Sequence, residues 1–136
     1  MVPATLVRAM SRELVLHSKH FDARVERGLS QLTLWLSGSA DLGVQTPFAS
    51  LVLDVDAEAV RLRVNEVILE IQKLVFMNST CFKHLCSWLR RVGARMPHER
   101  YRFRLLSSSK QHWQRRSLYA LRGFAPELVE IDVRDD

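Results

Sequence analysis

Cys81, His84 and Cys86 are the residues of this chain whose types and spacing best suit chemistry. A thiol becomes a nucleophile when its pKa is lowered and a base stands nearby. His84 follows Cys81 by three residues, within reach on a helix. Cys86 falls instead on an apolar helical stripe and reads as core. The spacing Cys-x2-His-x-Cys on one helix cannot aim three ligands at one metal ion. Two cysteines five apart on a helix also face different ways, which argues against an internal disulfide. No metal and no cofactor is expected, and the chain reads as a non-enzyme; a thiol-dependent enzyme using Cys81 is a lesser alternative. Directly before Cys81 stands Asn78-Ser79-Thr80, where the apolar run "VILEIQKLVFM" hands over to the pattern "CFKHLCSWLRRV". Small hydroxyls at such a junction cap a helix, worth about 1 kcal/mol.

The elements that position these residues follow from periodicity. "FDARVE" (21–26) and "LTLWLSG" (32–38) alternate and form a hairpin across Gly28-Leu29-Ser30. Thr46-Pro47 reads as an N-cap with proline at the first helical position. Phe48, Leu51, Val52, Val55, Ala59 and Leu62 then recur at helical spacing. "EVILEI" (66–71) is a strand. Phe82, Leu85, Cys86, Leu89 and Val92 trace a helical stripe that Gly93 ends. "YRFRLL" (101–106) is a strand. Trp113, Ser117, Ala120, Leu121 and Phe124 share a helix side, and "LVEIDV" (128–133) is the last strand. Residues 1–20 are expected to form an arm or short helix, and residues 21–136 one α/β domain. Its order is β-β-α-β-α-β-α-β, a mixed sheet of about five strands. Right-handed crossovers put the helices mainly on one face. The strands alternate rather than run continuously apolar, so the other face is open. Trp35 points to that open face. It either packs against the arm (Leu6, Met10, Leu14 and Val15) or joins Ile68 in a patch for a partner or dimer mate.

Net charge is +5, and apolar residues make up 47% of the chain. No stretch is apolar over the length a membrane span needs, and the N-terminus is a poor signal peptide, so a cytoplasmic protein is expected. Charge is uneven: residues 81–120 hold ten Lys or Arg against Glu99 alone, whereas 41–60 hold four acids and no base. Such asymmetry means an anionic partner or a fold that joins the two kinds of charge. On the open face, Glu66 and Glu70 would flank Arg102 and Arg104, and Glu130 and Asp132 would follow, as cross-strand ion pairs. Arg90, Arg91, Arg95, Arg115 and Arg116 sit near helix ends or on exposed faces. A basic nucleic-acid-binding domain is the alternative reading, though no Gly-rich loop, zinc spacing or aromatic platform accompanies it.

The chain resembles a STAS domain, the fold of bacterial anti-sigma factor antagonists, over residues 21–133. "LSGSADL" is similar to the family's strand ending in Gly-x-Leu-Asp, with Gly38 and Asp41 matching and Ala40 in place of leucine. "FMNSTC" is close to the family's "FMDSTG" or "FMDSSG", with Asn78 for aspartate and Cys81 for glycine. A "WQ" segment, Trp113-Gln114, resembles a divergent branch of such regulators. The resemblance implies a partner-switching module without chemistry of its own, docked to an anti-sigma factor, serine kinase or phosphatase-like regulator. It implies phosphorylation at Ser79, with Thr80 beside it, and a partner surface of Asn78, Ser79, Thr80, Lys83, His84 and Ser87. A phosphate adds about −1.5 to −2 charges at the positive end of the helix that follows. A homodimer is a further possibility.

Overall fold

The computed structural model describes residues 14–135. Six strands form one sheet in sequence order, β1 to β6. They are β1 (Val15–His17), β2 (Phe21–Arg27), β3 (Gln31–Ala40), β4 (Glu66–Met77), β5 (Arg102–Ser108) and β6 (Val129–Arg134). Three helices connect the parallel part: α1 (Gln45–Leu62), α2 (Ser79–Gly93) and α3 (His112–Phe124). β1, β2 and β3 pair antiparallel, and β3 to β6 run parallel. The sixth strand is β1, which comes from residues expected in the arm; most of that arm lies outside the described residues.

The core lies between the sheet and the helices. Leu32, Leu34 and Leu36 of β3, Val67 and Leu69 of β4, and Phe103 and Leu105 of β5 are buried at strand spacing. Phe48, Val52 and Val55 of α1 meet them from above, with Leu85, Trp88 and Leu89 of α2. Trp88, absent from the expected stripe, is fully buried and stacks edge-on to Phe103 with ring centroids 5.0 Å apart. On α3 the buried positions are Gln114, Leu118 and Leu121, while Ala120 and Phe124 are exposed. The stripe expected there is therefore rotated, because polar Gln114 is part of the interior.

Three boundaries differ from expectation. α1 begins at Gln45, so Thr46-Pro47 falls within its first turn rather than at its cap. The chain is turned into α1 by Asp41, whose carboxylate accepts the Gly43 N–H at 3.1 Å and caps a short 3-10 turn, Leu42–Val44. β4 continues to Met77, well past Ile71. Its twelve residues run against the ten of β3, with register shifts after Trp35 and after Gly38. A bulge of this kind re-aims the side chains beyond it. β5 likewise runs on to Ser108.

The fold joins the two kinds of charge. Asp56, in the acidic stretch, is buried and receives Arg95 through two nitrogens at 3.0 and 2.5 Å. Arg91 lies 3.7 Å away. The Tyr101 hydroxyl donates to the same carboxylate at 2.5 Å and accepts the Trp88 indole N–H at 2.6 Å. Burial pushes the Asp56 carboxyl up, but the bonds from Arg95 and Tyr101 and the arginine charges outweigh it and hold the group below its ordinary value. Arg91 and Arg95, read from sequence as helix-end or exposed cations, lie near the end of α2 as expected, half-buried and turned toward Asp56. On the open face Arg104 reaches Glu66 at 3.3 Å and Arg102 reaches Glu130 at 3.8 Å. The rows of charge pair as expected at those positions. Glu70 and Asp132 instead bond within their own strands, to Gln72 and Arg134.

Trp35 does face the open side, but not bare. The Arg24 guanidinium sits 4.8 Å from its ring, and its N–H donates to Glu26 at 3.1 Å. Leu6 and Met10 lie outside the described residues. Leu14 packs against the core rather than on the open face.

Candidate functional site

The site forms where β4 ends. Parallel pairing sets Ser39 beside Phe76 and Ala40 beside Met77, and the Asn78 N–H donates to the Ala40 carbonyl at 2.9 Å. The two segments singled out in sequence, 38–42 and 76–81, are therefore neighbours. Gly38 makes this possible. Its φ is +87°, and a Cβ there would stand 2.1 Å from the His20 carbonyl oxygen. Only glycine fits such a position.

Asn78 is the cap of α2. Its backbone is extended, and its side-chain oxygen accepts the Cys81 N–H at 2.9 Å. Its amide nitrogen donates to Gln45 Oε1 at 2.7 Å, tying the start of α2 to the start of α1. Capping therefore falls to Asn78 and not to Ser79 or Thr80, which occupy the first helical positions. Ser79 is exposed and Thr80 half-buried. The N–H groups of the first turn have no intrahelical acceptor, and they lie where the helix dipole is positive.

Lys83 is exposed one turn further on and forms no ion pair among the described residues. His84 and Ser87 are half-buried and follow Thr80 along one side of α2. That side borders α1, where the His84 ring lies 6.4 Å from Phe48. All six residues expected to form the surface are thus on α2 or its cap. Ser79 and Lys83 face outward, and Thr80, His84 and Ser87 lie on the inner shoulder. Sequence reasoning missed the apolar flank. Leu42 is 77% exposed, Val75 56% and Phe76 47%. Val75 and Phe76 fall at the second bulge of β4 and Leu42 opens the 3-10 turn after Asp41, features that alternation does not reveal.

Trp113 and Gln114 hold the free edge of this site. β4 pairs with β5 only as far as Glu70, so beyond it the carbonyls on that side have no strand partner. The buried Gln114 amide donates to Ile71 O at 2.6 Å and Leu74 O at 3.0 Å, and its oxygen accepts the Ser108 N–H at 3.1 Å. The Trp113 indole donates to Leu74 O at 3.1 Å. Two side chains of α3 replace the missing strand and fix the β4 tail that leads to Asn78.

The thiols are not poised for catalysis. Cys81 is fully buried, and burial with the nearby Asp41 charge pushes its pKa up to about 11. Cys86 is half-buried and also shifted upward, chiefly by burial. A nucleophilic thiol needs the opposite shift. Among the described residues no group of three or more His, Cys, Asp or Glu is placed to hold a metal ion, and no helix is long and apolar enough to cross a membrane.

No family model and no curated protein matches the sequence. Solved structures do match. An anti-sigma factor antagonist from Mycobacterium paratuberculosis superposes with a TM-score of 0.60 at 13% identity, covering 86% of this chain and 90% of that one. This chain has the STAS fold. The anti-sigma factor antagonist SpoIIAA, in its unphosphorylated form, superposes with a TM-score of 0.54 at 17% identity, covering 80% of this chain and 86% of that one. The STAS fold accounts for the mixed sheet and its three helices.

Proposed function

We propose that this STAS-fold protein is a non-enzymatic regulator that docks a protein partner at the β4–α2 turn, and that phosphorylation of Ser79 switches the docking. The observation that carries this reading is the exposed Ser79 at the first position of α2, where the β4 end with exposed Val75 and Phe76 meets the segment of exposed Leu42. Exposed apolar side chains rimmed by polar groups are what a protein partner buries. The two similar structures are anti-sigma factor antagonists, and the form of one is described as unphosphorylated. That favours an anti-sigma factor, acting also as serine kinase, as the partner class.

The switch needs little refolding. A kinase partner transfers the terminal phosphoryl group of ATP to Ser79 Oγ, and a phosphatase removes it by hydrolysis. The dianion would stand at the positive end of α2 with Lys83 one turn away. It would alter the charge and bulk of the docking surface while leaving the core intact. Thr80, half-buried, is the less accessible acceptor.

Quantitative pull-downs from the native host with wild type, Ser79→Ala and Ser79→Asp test this reading. The partner should be retained by wild type and Ser79→Ala and lost with Ser79→Asp. Equal recovery of every partner by all three proteins would end the switch reading.

A further inference from the structure

A second site lies away from the β4–α2 turn. Between α3 and the edge strand β6 is a cavity of about 370 Å³. One end is polar and is built from the end of β5 and the start of α3. Ser107 there is only 3% exposed, faces the helix layer with Phe103 and Leu105, and lines the cavity. Its hydroxyl has no hydrogen-bond partner among the described residues. It opens on the cavity and is not among the fully buried unpaired side-chain atoms of the described residues. The first turn of α3 opens on the same end without a side-chain cap, since Gln111 points its amide to Gln72 O at 3.4 Å instead. Arg115, exposed at the rim, forms no ion pair among the described residues.

The other end is apolar. Leu118 and Ile131 form its floor, and Tyr119 and Val133, about half exposed, form its walls. An uncapped helix start, a hydroxyl open to the cavity and an exposed guanidinium suit an anionic head. The aliphatic and aromatic walls suit a hydrocarbon body.

We infer that this cavity binds a small amphipathic carboxylate, head toward Ser107, Arg115 and the start of α3, body between Leu118, Tyr119, Ile131 and Val133. Its volume equals that of roughly twelve water-sized groups, at the small end of ligand sites. An unbranched acid of medium length fills it. The site is independent of phosphorylation at Ser79.

Octanoate is the probe, titrated into the full chain and followed by amide chemical shifts. Acetate carries the head alone and 1-octanol the body alone. Octanoate should give saturable shifts confined to residues 107–119 and 131–133, with weaker binding of both controls. Arg115→Glu should weaken octanoate binding about tenfold or more, the scale of one charge-assisted hydrogen bond. Arg116→Glu, the same charge change on a residue that does not line the cavity, should leave it unchanged. Both arginines are exposed, so both variants keep the wild-type spectrum. The inference is overturned by no shifts, by shifts that are diffuse or do not saturate, by 1-octanol binding as well as octanoate, or by equal effects of the two substitutions.

Discussion

Asn78 donates its side-chain amide to Gln45 Oε1 at 2.7 Å, joining the first residue of α1 to the cap of α2. The same side chain accepts the Cys81 N–H. One residue therefore sets both the start of α2 and its position relative to α1, and Ser79 is displayed as a result. Asn78→Ala should lower unfolding free energy in urea by about 1–2 kcal/mol, one cap and one further bond. Asn78→Asp keeps the cap acceptor and loses only the donor to Gln45, so its loss should be smaller.

Asp56 holds the α1–α2–β5 junction. Asp56→Ala strands the Arg95 guanidinium and the Tyr101 hydroxyl, and should cost about 3 kcal/mol, at the lower end for broken buried pairs because Arg95 remains partly solvated. The same carboxylate gives a pH signature. Its folded pKa is depressed, so its contribution is fully present above the unfolded value, about 3.9. It is lost as pH falls below that value through the folded pKa. Urea unfolding from pH 6 down to pH 3 should show a steeper loss in wild type than in Asp56→Asn.

Gln114 stands in for a strand. Gln114→Leu removes partners from two β4 carbonyls and from the Ser108 N–H, and should cost about 2–3 kcal/mol. Trp113→Phe drops one bond and should cost about 1 kcal/mol. Hydrogen exchange at the Ser108 amide should accelerate in Gln114→Leu and stay near wild type in Trp113→Phe.

Much of the fold was legible in the chain because alternation and helical spacing report directly on burial. Leu32, Leu34 and Leu36, or Val67 and Leu69, can be buried together only as strands. The neighbouring of "LSGSADL" and "FMNSTC" came only with the β3–β4 register. Other features depend on contacts distant in sequence. The β4 extension breaks alternation at its bulges, so Leu74 reads as helix and strand alike. Gln114 sits on a buried face because β4 offers it carbonyls, which no local pattern predicts. Asp56 looks like a solvated acid until Arg95 and Tyr101 are brought to it from about forty residues away. The signal for Leu42, Val75 and Phe76 was present only as apolar letters next to a polar turn.

Cys81 and Cys86 differ in access. With its pKa near 11 and its side chain enclosed, Cys81 should resist iodoacetamide at pH 8 until the protein is unfolded. Cys86 should label first. Rapid alkylation of Cys81 in the folded protein, monitored by peptide mass spectrometry, would revive a thiol-based activity.

A switch at Ser79 requires that this residue carry phosphate in the cell. Phosphosite mapping by tandem mass spectrometry tests it on protein recovered from its native host during growth and under stress. Phosphate on Ser79 in one of these conditions, changing in occupancy between them, is the predicted result. Absence of phosphate at Ser79 in every condition, with or without phosphate on Thr80, would contradict the account.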